Sequence, residues 1–184
     1  MSEEILIRLC SPTLAGLKTG SLVSCSFNSR KELLCDIRAL NRELVPKGLC
    51  ILPLRYADAR VLIYLFRPSQ LKQDLSDSEA ARLLMEVGYQ NTKSEQCILK
   101  LMHRLSESKE FPHEIGLFLS YPPEDVRGFI ENHAVNFKCV GFWKVYGDED
   151  KAKSRFAQYR KCTNIYCRQW ACGKTIAQLA VPVK

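Results

Sequence analysis

The sequence predicts one α/β domain over residues 1–184, with a mixed sheet of about four to five strands that contains one hairpin and one βαβ unit and is covered by helices. Three observations carry this reading. Hydroxyl residues with Glu three positions later recur as helix starts, short apolar runs rich in β-formers lie between them, and residues 115–146 alternate strand, helix and strand patterns.

In chain order, SLVSCSF (21–27) reads as a strand. Ser29 with Glu32 then opens a helix whose apolar stripe is Leu33, Ile37, Leu40 and Leu44. CILPL (50–54) and VLIYLF (61–66) flank RYADAR, which predicts an antiparallel hairpin with a loop somewhat longer than two residues. Ser76 with Glu79 and Thr92 with Glu95 mark two further helices, carrying Leu83, Leu84 and Val87, then Ile98, Leu101, Met102 and Leu105.

The continuous run IGLFLS (115–120) reads as a buried strand, YPPEDVRGFIENH (121–133) as a helix entered through prolines, and CVGFWKVY (139–146) as a second strand. Such a unit is normally a right-handed crossover between parallel strands. A long helix follows from about Asp148, with its stripe at Ala152, Phe156, Tyr159, Thr163, Tyr166 and Trp170 and its stop at Gly173. Thr175 with Gln178 caps a short last helix.

Composition narrows the function classes. Apolar residues make up 46% and charged residues 26% of 184, enough for a core of its own, and no apolar run approaches the roughly 20 residues of a membrane helix. The acidic opening MSEEILIRLC is unlike a signal peptide, so a cytoplasmic protein is expected. Nine scattered cysteines then read mainly as reduced, small buried hydrophobes.

The net charge of +7 is uneven: residues 138–174 hold nine basic residues against three acids, a local +6. Lys153, Arg160, Lys161, Asn164 and Arg168 fall on one side of the long helix, outside its apolar stripe. That side is either a solvated face or a docking surface for an acidic partner or a phosphate-bearing molecule. Nucleic acid is the weaker alternative, because no helix-turn-helix, zinc finger or aromatic RNA-binding motif accompanies the charge.

CTNIYCRQWAC (162–172) raises the question of a metal or redox site. On a continuous helix its cysteines stand about 140° apart with rises of about 7.5 Å, so three thiolates cannot converge on one ion. Cys167 lies near the edge of the stripe, Cys172 points away from it and Cys162 lies to the other side. A cluster would require the helix to break near residue 167 and Cys139 to join. Arg168 beside Cys167 is the kind of neighbour that lowers a thiol pKa, which keeps single-thiol chemistry as an alternative.

Ligands of open α/β sheets favour the crevice beyond parallel strand ends, here SYPPED and VYGDED. The pocket reading names Tyr121, Asp125, Cys139 and Tyr146 for ligand binding, in a small enzyme; the plain reading is a turn built to start a helix. No P-loop or GxGxxG is present, and His113-Glu114 is not HExxH. Lys18, a lone cation between Cys10 and Asn28, is either a helix-end charge or an anion contact.

SPTLAGLKTGSL (11–22), HEIGLFLSYPPEDVRGFIENH (113–133) and GFWKVYGDEDKAKSRFAQYRKCTNIY (141–166) together resemble a bacterial family known as domain of unknown function 3793. The resemblance implies a small cytoplasmic protein of anaerobic Firmicutes, often encoded near flavodoxin-like or iron-related genes, with no activity attached. It draws attention to Lys18, Tyr121, Pro122, Glu124, Asp125, Trp143, Lys144 and Tyr146, and its pattern does not include Cys172. The resulting expectation is an accessory or binding protein in redox or iron metabolism. Lys153, Arg160, Lys161 and Arg168 would dock an acidic partner such as a flavodoxin.

Overall fold

A computed structural model of the chain describes residues 2–90, 93–107 and 110–182. Its elements run α1 (Glu3–Leu14), β1 (Gly20–Ser26), α2 (Arg30–Leu44), β2 (Cys50–Ala57), β3 (Arg60–Phe66), α3 (Pro68–Ser76), α4 (Ser78–Glu86) and α5 (Ser94–Glu107). They continue with α6 (Ile115–Phe118), α7 (Pro123–Glu131), β4 (Cys139–Val140), β5 (Lys144–Val145), α8 (Glu149–Ala171) and α9 (Ile176–Leu179). Helices and strands are mixed along the chain, as an α/β fold requires. Contacts gather into two compact units: one comprises the residues up to Ser69 and those from Tyr159 onward, the other Gln70–Gln158.

The first unit is built on an antiparallel sheet in the order β1-β3-β2. The central strand β3 buries Val61, Ile63 and Leu65 on one face and Tyr64 and Phe66 on the other, which is why VLIYLF reads as a continuous apolar run rather than an alternating one. The Tyr64 and Phe66 rings stack at 4.5 Å. The core on the first face comes from Leu6, Ile7, Cys10 and Leu14 of α1 and from Leu33, Ile37, Leu40 and Leu44 of α2. Ile176 and Leu179 of α9 close it.

Local signals account for many boundaries. The Ser29 side chain accepts from the Glu32 amide at the start of α2, and Thr175 and Gln178 form a complete capping box on α9. Gly173, at φ 87°, ends α8 in the left-handed conformation. The β2–β3 hairpin turns on two residues, Asp58 and Ala59, so its loop is tighter than expected; Asp58 takes φ 52° to make the turn. The cap of α4 is Asp77 rather than Ser76: its carboxylate accepts from the Glu79 and Ala80 amides, while the Ser76 hydroxyl donates to Lys72 O at the end of α3. The expected Thr92 cap lies outside the described residues. α1 escapes sequence reading because Ser2 gives it no side-chain cap and Pro12 sits inside it.

The βαβ unit is not formed. IGLFLS is the one-turn helix α6, and CVGFWKVY folds back on itself as the short β4–β5 hairpin. All pairing among the described residues is antiparallel, and the strands lie in two separate sheets of three and two. An apolar run of six has no period that separates a buried strand from a buried helical turn. Packing decides it: a Cβ on Gly116 would come within 2.8 Å of Val126 on α7, an approach that only the missing side chain permits.

The second unit is mainly helical. Leu71, Leu75, Leu83, Leu84, Leu101, Phe118, Val126 and Phe156 are buried in it. Glu114, which has no metal-protease context, is a buried structural acid: it accepts from the Tyr89 hydroxyl at 3.1 Å and pairs with Arg104 Nε at 2.6 Å. Arg127 of α7 reaches Glu86 of α4 at 3.0 Å.

Candidate functional site

Pro122 and Pro123 start α7 without spending backbone donors, and this places Asp125 in its first turn. The Asp125 side chain is only 3% exposed. Its Oδ2 accepts from Trp143 Nε1 at 2.7 Å, and its Oδ1 accepts from the backbone N–H of Tyr146 and of Gly147, each at 2.7 Å. One carboxylate therefore fastens α7 to the β4–β5 hairpin, and the three donors satisfy its charge inside the protein.

Around this pin the aromatic residues are layered. The Tyr121 ring stacks on Trp143 at 4.8 Å and its hydroxyl donates to Phe142 O at 3.1 Å. Trp143 meets Phe156 edge-on at 4.5 Å. Tyr146 lies against Gly128, where a Cβ would stand 2.4 Å from the ring, and its buried hydroxyl has no hydrogen-bond partner among the described residues. Burial, with a smaller contribution from the Asp125 charge, raises the pKa of that hydroxyl. Cys139 is half-buried, and burial together with the Glu149 carboxylate pushes its thiol up, away from the thiolate a nucleophile needs.

Four of the expected ligand residues, Tyr121, Asp125, Cys139 and Tyr146, are thus gathered by α7 and the hairpin, while Lys18 belongs to the first unit. Of the four, Tyr121 borders an open cleft. That cleft, of about 280 Å³, is lined by Tyr121, Glu124, Asp74, Asp77, Lys151 and Arg155 among others. No parallel strand ends there, so the strand-end rationale gives way to a helix-lined one. Sequence reading missed Asp74, Asp77, Lys151 and Arg155; the available signal was the i, i+4 spacing of Lys151 and Arg155, which puts both on one side of a helix.

In the first unit Lys18 is 8% exposed, and burial lowers its pKa to about 8, with the neighbouring Cys10 working against that shift. Burial in turn pushes the Cys10 thiol up to about 12, opposed by Lys18 and by a hydrogen bond with Ser21. The Thr13 and Ser21 hydroxyls meet at 2.9 Å close by. A residue the sequence reading passed over, Arg67, is 2% exposed and aims its guanidinium at three backbone oxygens: Thr13 O and Leu14 O, both at 2.7 Å, and Val181 O at 2.8 Å. It satisfies the carbonyls at the end of α1 that the helix itself leaves open.

On α8, Arg160, Lys161 and Arg168 are exposed and have no carboxylate partner among the described residues. Lys153 belongs to the other unit and is already paired with Glu149 at 2.7 Å. No acidic residue follows Asp150 in the chain. Cys162 is buried, not placed off the stripe as expected; at 7% exposure it continues the packed side of Phe156 and Tyr159, and burial raises its thiol to about 11. Cys167 is half-buried against the first unit's core, and Cys172 is exposed. No group of three or more His, Cys, Asp or Glu suited to a metal ion occurs among the described residues.

A family model described as "Protein of unknown function (DUF3793)" matches residues 6–180. The chain belongs to this family. The DUF3793 match spans both compact units, so both the Asp125 pin and the α8 cations lie within the family region. Comparison with curated proteins and with solved structures returns no match. Among the described residues of this DUF3793 protein no helix is long and apolar enough to cross a membrane.

Proposed function

We propose that this DUF3793 protein is a cytoplasmic accessory protein of redox or iron metabolism that docks an acidic protein partner, such as a flavodoxin, through α8. The observation that carries the reading is the exposed, unpaired set Arg160, Lys161 and Arg168 on a segment without a single acid. Exposed cations left unneutralised create a local positive field that steers an anionic surface into register and speeds its association. The implied gene neighbourhood of the family supports flavodoxin as the first partner to test.

Calorimetric titration with a flavodoxin tests this. Binding should weaken as salt rises, because exposed charges are screened over about 10 Å at 0.1 M ionic strength. The double substitution Arg160→Glu, Lys161→Glu should lower affinity by about tenfold or more at low salt. Absence of binding at low ionic strength, or binding indifferent to both salt and charge reversal, would overturn the proposal.

A further inference from the structure

We infer that the second unit carries a peripheral membrane contact, in which the loop after α7 and the outer face of the β4–β5 hairpin insert apolar side chains into a bilayer containing anionic phospholipid. Residues 132–147 hold Lys138, Lys144 and His133 and no acid. Within them Val140 is 63% exposed, Val135 57% and Phe137 39%. Val140 is the cross-strand partner of Lys144, so both lie on one face of the hairpin. The Lys144 ammonium sits over the Phe137 ring at 4.7 Å and beside Phe129 at 5.8 Å. His113 in turn meets Phe129 edge-on at 4.9 Å and reaches Phe111, 47% exposed, at 6.3 Å. The surface from Val140 to Phe111 is therefore continuous, and contiguous exposed apolar side chains mark a contact where scattered ones do not.

The backbone holds this surface in a fixed shape. His133, Ala134 and Asn136 take φ of 48°, 63° and 59°, a left-handed region that residues with a Cβ enter at a cost. Lys144 Nζ donates to Ala134 O at 2.7 Å and Lys138 Nζ to Gly147 O at 2.6 Å, so both lysines brace the loop while their charge stays beside the apolar tip. A tip ordered in advance loses little further freedom when it inserts.

Charge and side-chain type choose the occupant. An anionic bilayer offers a negative surface to Lys138 and Lys144 and an apolar interior to Val135, Phe137 and Val140. Single-stranded nucleic acid stacks its bases on rings, and the two most exposed members, Val135 and Val140, have none. The acids nearest in sequence are engaged within the protein: Asp125 accepts three donors, and Glu131 pairs with Arg127 at 3.7 Å. The α8 cations Arg160, Lys161 and Arg168 belong to the first unit and form no part of this surface.

Co-sedimentation of the full-length protein with two kinds of vesicle tests this: phosphatidylcholine alone, and phosphatidylcholine with about 30% phosphatidylglycerol. The protein should partition onto the anionic vesicles about tenfold more strongly. The double substitution Val135→Ser, Val140→Ser should weaken that partition by about tenfold, because it removes apolar insertion without changing charge. Both side chains are exposed, so this variant serves as the test even if Phe137→Ser, which removes the ring beneath Lys144, folds poorly. The Arg160→Glu, Lys161→Glu protein should still bind the vesicles. The inference is overturned by absence of binding to anionic vesicles, by equal binding to both kinds, or by binding that the serine variant keeps in full. Binding lost through the α8 reversal alone would also overturn it, by assigning the contact to α8. Docking of a flavodoxin is read by its own titration and does not depend on these results.

Discussion

The Asp125 carboxylate accepts the Trp143 indole N–H at 2.7 Å while both residues are buried, and this single contact ties the first turn of α7 to the tip of the β4–β5 hairpin. Asp125→Ala would strand that indole N–H and the two backbone donors of Tyr146 and Gly147. The expected cost is about 3 kcal/mol, from one buried and two part-buried donors left without their acceptor together. Urea unfolding followed by tryptophan fluorescence measures it; a loss below about 1 kcal/mol would show that the hairpin does not depend on the pin.

Two glycines should resist alanine for reasons of space, and a third for reasons of backbone. Gly128 lies inside α7, where alanine would ordinarily gain about 1 kcal/mol, yet its Cβ would stand 2.4 Å from the Tyr146 ring. At Gly141 the Cβ would stand 2.3 Å from Phe156. Both alanine variants should lose about 1–3 kcal/mol through overpacking. Gly173 has nothing within 4 Å of its would-be Cβ but sits at φ 87°, so Gly173→Ala should cost only about 1 kcal/mol of backbone strain. Thermal unfolding of the three variants should return that order.

Arg67→Leu should destabilise the protein by about 3 kcal/mol. It leaves Thr13 O, Leu14 O and Val181 O without the guanidinium that now serves all three. Arg67→Lys should recover only part of the loss, because an ammonium lacks the planar fork that spans separate acceptors. Denaturant titration of both variants checks this, and equal stability of the lysine variant and the parent would contradict the geometry.

Stability should depend on pH through Lys18 and Cys10. Lys18 falls from an ordinary 10.5 to about 8 on folding, so between those values the unfolded chain binds more protons than the folded one and stability rises with pH. Cys10 runs the other way: its thiol rises from 9.0 to about 12, so stability falls as pH climbs above 9. A gain from about pH 8 to 9, a near-plateau up to about pH 10.5 where the two opposite slopes cancel, and a decline above it is the expected profile. Lys18→Met should be the more stable protein at pH 7, by up to about 3 kcal/mol, and should lose the rise between pH 8 and 9. Chemical denaturation at about pH 7, 8, 9, 10 and 11 reads both effects.

What could be read in the chain was local. Ser29 with Glu32 and Thr175 with Gln178 cap helices because their partners lie three residues away, a distance the helix itself sets. The Ala152–Phe156–Tyr159 spacing placed one side of α8 in a core for the same reason, and the same helix put Arg160, Lys161 and Arg168 in solvent. Where two local signals competed, adjacency was not enough: Ser76 and Asp77 are both good caps, and Asp77 prevailed because the Ser76 hydroxyl is engaged by Lys72 O in the preceding helix.

By itself the sequence determined the periods, the caps, the two-faced apolar strand β3 and the acid-free basic end of the chain, since each is a relation between residues one to four apart. Only the tertiary structure decided that IGLFLS is a helical turn, that Arg67 closes α1, that Lys151 and Arg155 share a cleft with Asp74 and Glu124, and that Asp125 is a structural pin. The reason is physical. Asp125 bonds to partners 18, 21 and 22 residues away, and a hydrogen bond depends on distance in space, which no periodicity along the chain encodes.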